Sequence, residues 1–297
     1  MEAPPRLRVG VVGVGRAGSV LAAALDRAGH KVVAAHAVSD TSRLRAEALI
    51  PQARLTDVPG VLDAAELVLL TVPDDVLPGL IDGLVDADHI HPGQFLVHAS
   101  GRYGIDVLAS ATAQGALPLA LHPVMTLTGT SLDLDRLAGC PFGVTAPQVL
   151  RPVAEALVVE MGGEPVWVAE ADRALYHAAL ANASNHLITL ATQSMELLRR
   201  AGVEDPGRML GPLMSASLDN ALRHGDPALT GPVVRGDAAT VRAHLDSLAE
   251  VSGESRTAYL SMARLTADRA LAAGLLRPER AAALLEVLSA GKEAASE

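Results

Sequence analysis

The stretch "VGVVGVGRAGSVLAAAL", Val9–Leu25, places Gly13-x-Gly15-x-x-Gly18 between a β-branched run and an Ala/Leu-rich one. Gly13 permits a tight turn, Gly15 lets the backbone approach a pyrophosphate, and Gly18 allows a helix to pack closely on a strand. Arg16 and Ala17 open that helix, where unpaired amides and the helix dipole favour a phosphate. The glycine pattern by itself is weak. It gains specificity from its place at the end of a first strand, with "GHKVVAAHAVSD" (Gly29–Asp40) following as the next one.

Working outward, Leu7–Val12, Lys31–Val38, Leu67–Val72, Phe95–Ala99 and Leu117–Leu121 are continuous apolar runs of strand length. Such runs suit a parallel sheet covered on both faces. Helical stretches at Ser19–Ala28 and Asp106–Ala113 supply crossovers, and Phe142–Thr145 with Val166–Ala169 flank a helix from Pro147 to Met161. After about Glu170 strand-like runs vanish, and helical stretches follow at 171–200, 206–223, 237–250, 254–273 and 278–290. The expected fold is α/β, a Rossmann doubly wound parallel sheet over residues 1–169, followed by an all-α domain over 170–297.

Bulk properties exclude several classes of function. The 297 residues carry a formal net charge of −10, which argues against a nucleic-acid partner. Lysine occurs only as Lys31 and Lys292, so almost every candidate site lacks one. The single cysteine, Cys140, excludes an intramolecular disulfide and a multi-cysteine metal site, and reads as a buried thiol. No metal is expected. The N-terminus shows no apolar segment followed by a cleavage site, which points to the cytoplasm. The uncharged run between Asp106 and Asp133 is broken by Gly115, Pro118, Pro123 and Gly129, so no membrane span is expected.

At the end of the second strand, Asp40 lies where it could accept hydrogen bonds from both ribose hydroxyls, favouring NAD. Ser39, Ser42 and Arg43 form a cluster suited to a 2′-phosphate. The reading leans to NADP and leaves NAD open. Val72-Pro73, Ser100 in "HASG" and His122 in "LHPV" would lie along the carboxyl edge of the sheet, where open α/β sheets bind ligands. In the long helix expected at 171–200, His177, Ser184 and Asn185 share one face, lining a polar pocket or meeting water. The Arg235-Gly236-Asp237 triplet could be an adhesion tripeptide. In a chain expected in the cytoplasm it reads instead as pocket architecture, with Asp237 capping the next helix and Arg235 suited to a substrate carboxylate.

The segments "GVGRAG", "HASG", "LHPV", "YHAALANASNHLITL" and "TGPVVRGD" resemble bacterial two-domain oxidoreductases with a Rossmann-like N-terminal domain and a helical C-terminal domain of unknown function. The resemblance covers nearly the whole chain. More distantly, the layout is similar to ketopantoate reductase, pyrroline-5-carboxylate reductase, prephenate dehydrogenase and deazaflavin-dependent NADP reductases. It implies a homodimer with helical domains packed together. The catalytic lysine that ketopantoate reductases carry near the start of this long helix is absent, and His177 lies near its place. His122-Pro123 matches a His-Pro of prephenate dehydrogenases.

These readings together predict hydride transfer from NADPH to a small 2-oxo acid, with ketopantoate the leading substrate. His177 would be the general acid, or else His122, because imidazole titrates near neutrality. Ser184, Asn185 and Ser100 would orient the substrate, and Arg235 would bind its carboxylate. The alternatives are a reductase or dehydrogenase for an imine, a prephenate-like acid or a deazaflavin, and a non-catalytic NADP(H)-sensing regulator.

Overall fold

The computed structural model describes residues 6–293, with side chains to residue 289; the first residues of the N-terminal reading lie outside the described residues. The chain divides into two compact units, Met1–Ala183 and Ser184–Glu297.

The first unit runs β1 (Arg8–Val12), α1 (Arg16–Arg27), β2 (Lys31–His36), α2 (Asp40–Leu49), β3 (Arg54–Leu55), α3 (Val58–Ala64), β4 (Leu67–Leu70) and α4 (Leu77–Asp86). It continues with β5 (Phe95–His98), α5 (Ala109–Ala113), β6 (Leu117–Pro123), α6 (Leu132–Arg136), β7 (Pro141–Thr145), α7 (Arg151–Glu160), β8 (Glu164–Trp167) and α8 (Arg173–Ala181). The strands form one sheet in the order β3-β2-β1-β4-β5-β6-β7-β8, parallel throughout except between β6 and β7.

The apolar runs are continuous because both faces are covered. Along β4, Leu67 and Leu69 enter one core cluster, with Val9, Val11, Leu21 and Leu25, while Val68 and Leu70 enter another, with Ile81 and Leu96. The chain leaves β1 for β2 on one side and returns to β4 on the other. The crevice at the carboxyl ends of β1 and β4 is therefore a topological switch point, the place where such sheets bind ligands.

Several boundaries differ from the sequence reading. The edge strand β3 was not foreseen, because Arg54 and Leu55 are both exposed and carry no apolar pattern. The stretch 106–113 starts as a 3-10 turn, Ile105–Leu108. His122 and Pro123 are the last residues of β6 rather than part of the loop after it. The helix expected at 171–200 is interrupted by a π-helical turn, Asn182–His186. The division between the two compact units falls inside this stretch. Arg173 explains why α8 belongs with the sheet: its Nε donates to Thr145 Oγ1 at 2.7 Å and its Nη2 to the carbonyls of Gly143 and Ala120 at 3.0 and 3.3 Å.

The second unit is helical: α9 (Leu187–Arg200), α10 (Pro206–His224), α11 (Pro232–Arg235), α12 (Ala238–Val251), α13 (Gly253–Ala272) and α14 (Pro278–Glu293). Helices α11 to α14 enclose a core built from Val234, Val241, Leu245, Leu260, Ala267, Leu284 and Leu288. No described helix is long and apolar enough to cross a membrane.

Candidate functional site

At the turn from β1 to α1, Gly13 takes φ +96°, a conformation that disfavours any side chain. A Cβ on Gly18 would run into the Gly13 carbonyl and the Thr71 hydroxyl. Thr71, directly after β4, donates from Oγ1 to that carbonyl at 2.7 Å and braces the turn from the neighbouring strand. Gly15 is different. Its φ of −81° is open to any residue, and a Cβ there would meet nothing within 4 Å. Helix α1 starts without a side-chain cap and with no acidic residue in its first turn, and Arg16 stands exposed at its start. Open space beside bare backbone, at an uncapped and positively biased helix start, fits a dinucleotide pyrophosphate. Gly13, Gly15, Arg16, Ala17 and Gly18 would hold it.

At the next turn the expected phosphate cluster divides. Ser39 Oγ accepts from Ser42 N at 3.1 Å, and Ser42 Oγ accepts from Ser39 N at 3.0 Å and donates to Ser39 O at 2.7 Å. This reciprocal cap closes the start of α2 and buries Ser42, so Ser42 leaves the cluster in which the sequence reading placed it. Asp40 and Arg43 remain exposed as a loose pair at 3.5 Å. Arg45 turns elsewhere, towards Gly129, where its Nε lies 2.8 Å from the place a Cβ would occupy. A cleft of about 400 Å³ there is lined by Thr41, Arg45, Thr128, Thr130 and Ser131.

Further along the same edge of the sheet, Gly101 sits among histidines. A Cβ at Gly101 would lie 2.7 Å from His177 Cδ2 and 3.0 Å from both Cε1 and Nε2 of His122. The rings of His122 and His177 meet edge to face with centroids 6.3 Å apart. His122 comes from the end of β6 and His177 from α8, so the tertiary fold, not sequence proximity, makes the pair. On its other side, His122 Nδ1 is 2.8 Å from the Tyr176 hydroxyl. Burial pushes His122 down to about 4, with the Arg173 cation adding in the same direction, so the ring is neutral at pH 7.

The "HASG" loop is built from the inside. His98 is buried, its Nε2 donating to the Gly104 carbonyl at 2.7 Å and its Nδ1 accepting from Ser100 N at 3.2 Å. Burial lowers its pKa to about 4. Ser100 Oγ accepts from Arg102 N and Tyr103 N, each at 3.2 Å, so Ser100 shapes this loop. Glu170 ties the loop to the approach of α8 by accepting from Ile105 N at 2.7 Å. Val72 and Pro73 follow β4, half-buried and exposed respectively.

The structure thus brings His122 and His177 together in the first unit. Ser184 and Asn185 fall in the second unit, exposed in the π-helical turn, whose extra residue shifts the register that had placed them on one stripe with His177. Arg235 ends α11 and is exposed; with Asp237, Glu279 and Arg280 it lines a cleft of about 510 Å³ within the helical unit. Asp237 caps α12, accepting from Thr240 N at 3.1 Å and Thr240 Oγ1 at 2.7 Å, and Gly236 takes φ +67°. The triplet is a helix-to-helix turn. Tyr176 and Arg173 escaped the sequence reading, because a buried arginine in a helix looks like a solvated one. The usable signal was Gly143, where a Cβ would collide with the Tyr176 hydroxyl. Among the described residues no group of three His, Cys, Asp or Glu could hold a metal ion.

A mostly parallel sheet reversing its strand order at a glycine turn, with a ligand edge beyond, defines a Rossmann-type protein. Residues 2–123 match the family model of the Rossmann-like domain, and residues 140–266 match DUF2520, a domain of unknown function. The two matches lie one after the other along the chain and together span most of it. Comparison with curated proteins finds no match.

Solved structures share the fold. A Bacteroides fragilis protein described as a candidate NADP oxidoreductase is 18% identical, covering 89% of this chain and 98% of its own, with a TM-score of 0.74. An imine reductase from Pseudomonas sp. is 21% identical, covering 96% and 100%, with a TM-score of 0.65. A Plasmodium falciparum pyrroline carboxylate reductase with NADP bound is 11% identical, covering 90% and 97%, with a TM-score of 0.56.

Proposed function

We propose that the chain is a cytoplasmic, homodimeric, NADPH-dependent reductase acting on a polarised double bond of a small carboxylate. The observation that carries this reading is the convergence of His122 and His177 on Gly101, at the same sheet edge as the open turn at Gly15. Bound NADPH would supply the hydride. The glycine turn would hold its pyrophosphate, and Arg43 its 2′-phosphate, with NADH the weaker ligand. Negative charge grows on the substrate heteroatom during reduction, so a donor must meet it. His122, neutral at pH 7, would give a hydrogen bond there, and His177 beside it would give the proton.

A 2-oxo acid, ketopantoate first, is the substrate we favour. A C=N substrate is the second reading, favoured by the imine and pyrroline carboxylate reductases among the proteins of this fold. Support for a second copy as partner comes from α9, which buries none of its residues, and α10, which buries only Pro206. Ile188, Leu190, Met209, Leu213, Leu218 and Leu222 are left exposed, and surfaces of this kind usually meet another subunit.

The test is NADPH oxidation by the purified protein with ketopantoate and, separately, with a cyclic imino acid as acceptor. Turnover assigns the bond type, and His177→Ala should then cost about 100- to 10,000-fold in kcat. Tight nucleotide binding without turnover on either acceptor would refute the reading in favour of a nucleotide sensor.

A further inference from the structure

We propose that Tyr176 and Arg173 are positioning residues that lock His122 in the tautomer protonated on Nε2, making it a fixed neutral N–H donor aimed at the space beside Gly101. The role of that donor rests on the reductase reading above; the lock itself does not.

The geometry points to this pairing. The Tyr176 hydroxyl lies 2.8 Å from His122 Nδ1, with the two rings edge to face. A phenol is the stronger donor of the two, and an imidazole nitrogen the stronger acceptor, so the proton stays on oxygen and Nδ1 accepts. Burial raises the Tyr176 pKa further, against the opposing effects of Arg173 and the Gly143 backbone, which keeps the O–H intact. With Nδ1 engaged, the neutral ring carries its proton on Nε2. That nitrogen has no hydrogen-bond partner among the described residues, and it is one of the atoms that crowd the Cβ position of Gly101. Gly143, opposite His122 in the β6–β7 ladder, supplies the room for the phenol.

Arg173 supplies the other half. It is 2% exposed and forms no ion pair among the described residues. Its donors meet only neutral acceptors: Thr145 Oγ1 and the carbonyls of Gly143 and Ala120. One nitrogen, Nη1, is buried without a partner. Its guanidinium carbon lies 5.6 Å from the Tyr176 ring centroid. An arginine stays protonated, so a cation, with the Glu170 carboxylate near it but not ion-paired to it, sits behind the phenol and opposes a second proton on His122. The other ionisable groups facing His122 divide: His177 from α8 and His98 from β5 act with Arg173, while Asp74 after β4 acts against it. If Arg173 only anchored α8 to the sheet, it would not need to govern the protonation of His122, and this difference can be measured.

The experiment is long-range 1H–15N correlation spectroscopy on the full chain labelled with 15N-histidine, with the His122 signals assigned by their loss in His122→Asn. At pH 7 we expect an unprotonated Nδ1 and a protonated Nε2, with a titration midpoint below 5. Tyr176→Phe should give a mixture of tautomers and lower kcat about 10-fold, leaving the Kd for NADPH unchanged. Arg173→Gln should move the midpoint up, with burial still holding it below the ordinary histidine value, whereas Arg173→Lys should keep it where it is. An Nδ1–H tautomer or an imidazolium at pH 7 in the unmodified protein overturns the proposal, and so does a Tyr176→Phe tautomer identical to it. If either variant fails to fold, the spectrum of the unmodified protein still decides. A lock present in a protein that reduces no acceptor would refute the reductase reading and leave the lock standing.

Discussion

Gly15→Ala separates a cofactor turn from a structural one, because the two ideas predict opposite profiles. The new methyl would enter space with no protein atom within 4 Å, at a backbone φ of −81° that alanine adopts freely. The folded protein therefore has nothing to lose, and the unfolded chain loses some freedom. Stability should be unchanged or rise by up to about 1 kcal/mol. The pyrophosphate, in contrast, would have to retreat from the amides at the start of α1. Losing one hydrogen bond to a charged group costs about 1.5–3 kcal/mol, which corresponds to roughly a 10- to 150-fold weaker Kd. The assay is a fluorescence or calorimetric titration of NADPH alongside thermal unfolding of the same sample. An unchanged Kd would refute the assignment of this turn to the dinucleotide. A large fall in Tm would show that Gly15 serves the fold. Gly18→Ala is the control, since its Cβ meets the Gly13 carbonyl and Thr71, and it should lower both stability and binding.

Gly101→Ala would place a methyl 2.7 Å from His177 Cδ2, displacing the histidine pair, so kcat should fall about 10- to 100-fold with the NADPH Kd retained. Near-normal turnover would remove this space from the active site. Burial lowers His98 from 6.5 to about 4, so the unfolded chain binds its proton first as acid is added. The resulting stability is fully present above pH 6.5 and is lost as pH falls towards 4, by roughly 3 kcal/mol. Denaturant titrations at both ends of that window should show the loss, and His98→Gln should shrink it to the share that His122, lowered likewise by burial, contributes. Leu213→Glu, on the exposed face of α10, should convert a dimer to a monomer in light scattering; an unchanged mass would place the interface elsewhere.

Local chemistry made much of this protein legible in its sequence. Continuous apolar runs announce a sheet buried on both faces, and a glycine triplet at a strand end announces a turn into a helix. Asp237 is a cap residue by type, and it caps as its chemistry requires. Cys140 is buried, as expected of a lone apolar thiol. Three things depended on the tertiary structure. Strand β3 needed a neighbour to exist, because two exposed residues carry no pattern of their own. The break in the long helix shows only in three dimensions, where Arg173 anchors α8 to the sheet and a π-helical turn follows at Asn182–His186. The histidine cluster needed the fold, because His98, His122 and Tyr176 come from different elements and their protonation is set by burial and by a cation whose surroundings no sequence pattern reveals. Periodicity and turn chemistry act over a few residues and can be read from the chain alone. Desolvation and charge proximity act through space, and the fold alone decides them.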